Sequence, residues 1–458
     1  MSAWNVDSAR HLLARCLFGY SRADLTRALS YPSAQAFVQQ ELLADLPPDG
    51  SGQPDPPGPW VTEAPVTGDN AVNNTRYREL TNWWLSRMLT EVTSMREKMV
   101  LFWHNHFTSQ RDKISYPQYM YQQNALFRRY AFGDFGQMTK EVTIDPAMLI
   151  YLDGRQNNKN APNENYAREL MELFTLGLGN YTETDVKQAA LALTGWRLEG
   201  LKAVFNKKAF ASTNKTFLGK TGNFGYTDII DIILTKDATA EFISRKLYRE
   251  FVHYQPNEPF VRQMAAVLRE ANYQIKPLLQ FLLTSDEFFR TDYRGGKIKS
   301  PTELLIGAVK QLALAKPDWA YLADTGRLLQ QQLFNPPNVA GWSGQREWIS
   351  SNTYPARGGF TDSLVNGRKS NGQMLAGSLN ALDYARSYAS SENAIQFVND
   401  VTGLLLRFPL SDTKRKFLLE TLLDGTIAAN WSTNTPMADI RIQKFLKAVM
   451  RQPEYQLT

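Results

Sequence analysis

Two stretches of this 458-residue sequence hold the side chains best suited to chemistry. The first, "LFWHNHF" at 101–107, sets His104 and His106 two positions apart. Histidines at i and i+2 share a face on a strand, where they can ligate one metal, whereas on a helix they diverge by about 200°. Met95, Met99, Phe102 and Trp103 recur with helical spacing, so His106 is expected to face the core and His104 another surface. The second, "NAPNENYARELMELFTLGLGNYTETDVKQAALALTGW" at 160–196, concentrates carboxylates. Glu164, Arg168 and Glu172 fall at i, i+4 and i+8, with Glu169 one position off that line. Exposed, the row is a salt-bridge ladder worth a few tenths of a kcal/mol per pair. Buried against Tyr166 and Phe174, the same groups must be paired or liganded, and would hold a cation or a substrate group. The candidate catalytic set is therefore His104, His106, Glu164, Arg168, Glu169 and Glu172, with a histidine as acid, base or ligand.

Just upstream, "DGRQNNKNAPNE" places Asp153 and Glu164 at the two ends of a span as long as a calcium loop, with Asn157 between them. Arg155 stands at a ligand position, Asn158 replaces the turn glycine and Pro162 breaks the exit, so an EF-hand is not expected. An irregular site for a divalent metal ion, built from Asp153, Asn157 and Glu164, is the form of metal centre that this stretch allows. Other catalytic vocabulary is missing: there is no Gly-x-Ser-x-Gly, Walker loop or dinucleotide fingerprint. Gly219-Lys220-Thr221 lacks the earlier glycine of a Walker loop. Only Glu250 with His253 has Glu-x-x-His spacing, short of what a di-iron bundle needs.

The elements that must position these residues are mostly helices. Asn163 is a ready N-cap for the carboxylate helix and Gly177 a left-handed stop. Thr182 with Asp185 caps the next helix, which ends at Gly195. The pair has the outline of a helix-turn-helix, but Glu183 and Asp185 at the start of its second helix would meet phosphates with the wrong sign. Ser300, Pro301 and Glu303 open a further helix as N-cap, first helical residue and capping-box partner. Residues 200–225 alternate apolar and polar side chains between glycines, the pattern of a small hairpin. The expected fold is mainly α, a large multi-helix domain with a small β-hairpin element and long irregular loops. It divides into an N-terminal helical segment (1–44), a Pro-rich crossing loop (45–75), a helical core with the carboxylate motif (76–290) and a C-terminal helical region (291–458). In the last of these, Trp342 and Trp348 lie in a loop-rich stretch and are expected to close a core over it.

Composition bounds the function. Hydrophobic residues are 43% and charged residues 21%, globular values, and no apolar run approaches the roughly 20 residues of a spanning helix. The 51 basic and 45 acidic side chains are mixed along the chain, and a net charge of +6 gives no electrostatic case for nucleic acid. Arg10, Arg15 and Arg22 interrupt the apolar residues near the start with helical spacing, so no export signal is read there. Cys16 is a core residue by its neighbours Leu12, Leu13 and Leu17. As the lone cysteine, it excludes disulfides within the chain and thiol metal clusters.

Several stretches resemble one family. "HLLARCLFGYSRADL", "KMVLFWHNHFTS", the run from Asn163 to Trp196, "FNPPNVAGW" and "RQPEYQL" are similar to successive motifs of the bacterial family catalogued as domain of unknown function 1800. The resemblance covers nearly the whole chain and implies a mostly helical fold. It also implies an exported or periplasmic protein whose partner resembles the alkaline-phosphatase and sulfatase superfamily. It implies no settled reaction. Before "KTFLG" at 215–219 the family pattern has a His-Asp pair, where this chain has Phe210 and Ala211. If that pair carries chemistry, this protein lacks it. Two readings follow: a cell-envelope interaction or scaffold protein, or a metal-assisted hydrolase-like enzyme built on the carboxylates and the His-x-His segment.

Overall fold

The helix Arg96–His106 is buried along its whole length, with only Asn105 as much as half-buried. Such a helix should be apolar all round, yet it carries Arg96, Glu97, Lys98 and two histidines. Each buried charge must therefore find a partner on a neighbouring element. Glu97 takes a two-pronged ion pair from Arg128, through Nε at 2.5 Å and Nη2 at 2.8 Å, and accepts the Trp84 indole N–H at 2.8 Å. Lys98 pairs with Glu303, the capping-box residue of the helix Pro301–Gln311. Arg96 donates to the Ala44 carbonyl at 2.8 Å. These bonds tie the central helix to Asn70–Thr90, Pro117–Arg129 and Pro301–Gln311.

Residues 4–45, 54–65, 68–370 and 373–458 are described in this computed structural model. Helices make up 58% of it. Among the described residues there are 21 α-helices and three two-stranded antiparallel pairs, so the fold is mainly α, as expected. The small hairpin expected at 200–225 is instead two: Trp196–Glu199 pairs with Lys202–Phe205, and Lys215–Phe217 with Lys220–Gly222. A third pair joins Lys369–Ser370 to Gln373–Met374. The Pro-rich crossing falls partly outside the described residues. Within them, Pro59–Thr62 forms a 3-10 turn. Asn70–Thr90 starts before the expected boundary at 76, because the Asp69 side chain caps the Val72 N–H. Capping by Asn163, Thr182 with Asp185, and Ser300 with Glu303 is as read from the sequence.

The far end of the chain returns to the middle of the molecule. Thr458 exchanges two backbone hydrogen bonds with Lys297 and donates its hydroxyl to the Ala14 carbonyl at 2.9 Å. The helices Thr353–Asn366, Ala394–Leu405, Asp412–Leu423 and Ala438–Met450 pack around one another beside this junction. Cys16 is fully buried, and burial pushes its thiol up to about 12.

Asp145 supplies a pH-dependent term. Its carboxylate caps the helix Pro146–Tyr151 and accepts from Gln123 at 2.9 Å, but burial outweighs these bonds and pushes it from 3.8 up to about 7. The folded chain thus holds this proton more tightly than the unfolded chain. Its contribution is fully present below about 3.8 and is lost as pH rises through about 7. Asp145→Asn keeps an N-cap side chain and removes the titration. In urea denaturation the variant is expected to gain on the native chain steadily between pH 4 and 8; an unchanged difference across that range would refute it.

Candidate functional site

The carboxylate motif begins as the α-helix Glu164–Glu169 and continues as a π-helical turn, Leu170–Thr175, before Gly177 takes φ +78°. A π-turn shifts the hydrogen-bond register: the N–H groups of Leu176 and Gly177 both return to the Met171 carbonyl. The carbonyls of Leu173 and Phe174, at the end of the turn, are consequently turned to side chains of other elements. The Phe174 carbonyl accepts from His106 Nε2 at 3.0 Å, and the Leu173 carbonyl accepts from Lys246 Nζ at 3.1 Å. Lys246, on the helix Asp237–Phe251, also lies 3.0 Å from His106 Nδ1.

This geometry sets the imidazole tautomer. A carbonyl can only accept, so Nε2 carries the hydrogen and Nδ1 presents its lone pair to the lysine. Burial, reinforced by Lys246, holds His106 well below the usual imidazole range, in agreement with a neutral ring. Burial also pushes the Lys246 amine down to about 7, with Arg249 acting in the same direction.

Lys246 and His106 line a cleft of about 450 Å³, within the range of small-molecule sites. Lys98, Arg249, Lys297 and Arg346 add positive charge to its walls, against the carboxylates of Glu250 and Glu303. Lys98 pairs with Glu303, while Arg249 and Arg346 make no ion pair among the described residues. Against the burial that would raise it, Lys98 and Lys297 hold Glu303 down at about 2. Burial lowers Lys297 to about 8, with Glu250 opposing and Arg15 assisting. Trp342 and Trp348, each 7% exposed, form an aromatic wall with Tyr254 nearby.

Asn105, between the two histidines, holds that wall in place. Its Oδ1 accepts the Trp342 N–H at 2.7 Å and its Nδ2 donates to the Trp342 carbonyl at 3.2 Å. Gly341, at φ +82°, lets the two backbones meet. Asn105 has no titratable group to mark it in the sequence. An amide beside a second motif of Gly-Trp type was the available signal.

The structure divides the predicted site residues. His106 lines the cleft. His104 points elsewhere on the helix, into a closed box of Trp84 (ring centroids 5.4 Å apart), Phe334 (5.5 Å) and Trp342 (5.8 Å). Its Nε2 has no partner there, and burial pushes it down to about 3. His104 thus faces a buried aromatic pocket rather than a surface.

Glu164, Arg168, Glu169 and Glu172 do not line the cleft. Arg168 reaches Glu164 at 3.4 Å but is gripped by both oxygens of Glu183, at 2.6 and 2.8 Å. Glu172 accepts from Tyr181 at 2.9 Å. Glu164, Glu169 and Glu172 are half-buried, so none is the buried carboxylate that a cation site would want. The proposed metal ligands also part company. Asp153 pairs with Lys113 at 3.0 Å, while the Asn157 amide donates to the Ala190 carbonyl at 2.9 Å and accepts from the Asn163 N–H at 2.9 Å. Among the described residues no group of three His, Cys, Asp or Glu side chains is placed to hold an ion. Phe210 and Ala211 lie outside the cleft too, and the buried Lys215 donates to the Ala211 carbonyl.

The profile of a family described as "Protein of unknown function (DUF1800)" matches residues 11–457. No curated protein and no solved structure matches the chain. Among the described residues no helix is long and apolar enough to cross a membrane.

Proposed function

The chain belongs to the DUF1800 family, whose description assigns no activity, and we propose from the cleft itself that it is a binding protein for an anionic ligand with a flat face. One observation carries this reading: Arg249 and Arg346 stand without carboxylate partners on a concave site that already holds Lys246 and Lys297 and is walled by Trp342 and Trp348. The cations would neutralise a carboxylate, phosphate or sulfate, and the indoles would cover an apolar or sugar face. In a cell-envelope setting, a partner resembling the alkaline-phosphatase and sulfatase superfamily would present or release such a group. That pairing rests on family resemblance, and mixing the two purified proteins tests it.

Phenyl phosphate is the probe, titrated by calorimetry. Arg249 and Arg346 are exposed, so Arg249→Ala and Arg346→Ala leave the core intact, and each is expected to weaken binding about tenfold, or roughly 1.4 kcal/mol. Binding favours protonated Lys297, so affinity rises as pH falls through its depressed value, about 8. Equal binding of phenol and phenyl phosphate, or affinities unaffected by both arginine changes, would overturn the reading.

The hydrolase alternative asks His104 or His106 to work with the signature carboxylates on a metal ion. No observation favours it, since these groups face different neighbours. Stoichiometric metal in purified protein would restore it.

A further inference from the structure

We infer that Lys246 is a nucleophilic amine that condenses with the carbonyl carbon of an anionic aldehyde or 2-keto acid held in the cleft. The inference rests on the anion-binding reading for its ligand class. Its nucleophile stands on separate geometry, the contacts among Lys246, His106 and the Leu173 carbonyl.

An amine nitrogen has three positions besides its carbon. Two are taken here by acceptors that cannot themselves donate: the Leu173 carbonyl at 3.1 Å and the His106 Nδ1 lone pair at 3.0 Å. His106 cannot turn to offer a hydrogen instead, because its Nε2–H is committed to the Phe174 carbonyl. A neutral amine fills these two positions with its two hydrogens. The third then holds its lone pair, and Nζ makes no further hydrogen bond among the described residues. A Schiff-base lysine needs an oriented amine with a free lone pair; these contacts orient it, and burial lowers the ammonium to about 7, which leaves a large neutral fraction near neutral pH. The charged neighbours act together. Arg249, on the same helix, disfavours the ammonium, and Arg249 with Lys297 and Arg346 would hold the anionic end of the ligand.

The step balances without an oxidant or a cofactor. The nitrogen lone pair attacks the carbonyl carbon, the carbon–oxygen π electrons move to oxygen, and the proton released from nitrogen passes to that oxygen. Loss of the second nitrogen hydrogen with the hydroxyl expels water and leaves a carbon–nitrogen double bond at Lys246. His106 is a positioning residue in this scheme: its Nδ1 accepts one amine hydrogen and so orients the nitrogen.

The test uses the full chain with sodium cyanoborohydride, which reduces and traps an imine, and peptide mapping by mass spectrometry. Glyoxylate is the anionic aldehyde and propionaldehyde the neutral one; exposed Lys208 is the internal reference. Lys246 is expected to be modified at least tenfold faster than Lys208 at pH 7.5, and at lower concentration by glyoxylate than by propionaldehyde. His106→Gln retains a donor at the Nε2 position and removes the Nδ1 acceptor. It is expected to slow trapping at least fivefold and to move the pH midpoint of labelling, while thermal melting confirms the fold. Labelling of Lys246 no faster than Lys208 by either aldehyde overturns the inference, and an unchanged pH profile in His106→Gln removes His106 from it. Fast trapping by propionaldehyde with no advantage for glyoxylate overturns the anionic class and the binding reading with it. Slow trapping by both, with phenyl phosphate still bound, overturns the nucleophile alone.

Discussion

Replacing Glu97 with alanine is expected to destabilise the fold by about 3–5 kcal/mol, the usual consequence of removing one partner from a buried ion pair. Glu97 is 1% exposed and Arg128 2% exposed, so neither water nor a mobile side chain can step in. The loss removes the two-pronged partner of the Arg128 guanidinium, which sits above the Trp83 ring at 5.0 Å with Glu91 as its remaining acidic neighbour, and orphans the Trp84 indole N–H. Urea denaturation of the purified variant measures the change, and a loss below about 1 kcal/mol would refute the argument. Glu97→Gln separates charge from hydrogen bonding, since it still accepts from Trp84 and Arg128; it should fall between the native chain and the alanine variant. One neighbour complicates the acid side. Burial, followed by repulsion from Glu97, raises Glu91 from 4.5 to about 8. The folded chain favours protonated Glu91, so its contribution to stability fades as pH rises from about 4.5 through about 8. Comparison of the variants therefore belongs at one fixed pH.

The second large effect is expected at Gly341. A Cβ added there would lie 2.3 Å from Asn105 Oδ1 and 2.5 Å from the Asn105 carbonyl oxygen, at φ +82° where side chains are strained. Asn105 would have to release Trp342. Strain of 1–3 kcal/mol and two broken hydrogen bonds together put the cost of Gly341→Ala at about 3 kcal/mol. The functional consequence is more specific: phenyl phosphate affinity should fall at least tenfold, because the Trp342 wall is no longer held against the cleft. Gly359→Ala is the control, on the helix Thr353–Asn366 with nothing within 4 Å of the added methyl. It should leave binding unchanged and gain up to about 1 kcal/mol from helix propensity. Equal behaviour of the two alanine variants in denaturation and in calorimetry would show that the Asn105–Trp342 clasp is unimportant.

Local chemistry was legible in the sequence. Helix starts at Asn163, Thr182 and Ser300, the stop at Gly177 and the buried Cys16 all follow from side chains acting within a few residues of themselves. So did the mainly helical fold, because apolar periodicity is a property of neighbours along the chain. The divergence of His104 and His106 followed from helical geometry in the same way. What the sequence could not disclose was the depth of the central helix. Nothing along the chain marks Arg96, Glu97 and Lys98 as buried; Arg128 and Glu303 reach them from distant positions.

The carboxylate motif shows the same division most sharply. Its charged side chains drew attention, yet Arg168 is claimed by Glu183 and the glutamates remain half-buried outside the cleft. Its contribution to the cleft comes from two backbone carbonyls, those of Leu173 and Phe174, turned outward by the π-turn. Every residue carries a carbonyl, so no residue type marks the ones that matter. The sequence determined which segments would be helical and where they would begin and end. Only the tertiary structure decided that Lys246 and His106, 140 positions apart, would share a proton-accepting contact, because that contact depends on a register shift within one helix and the packing of two others.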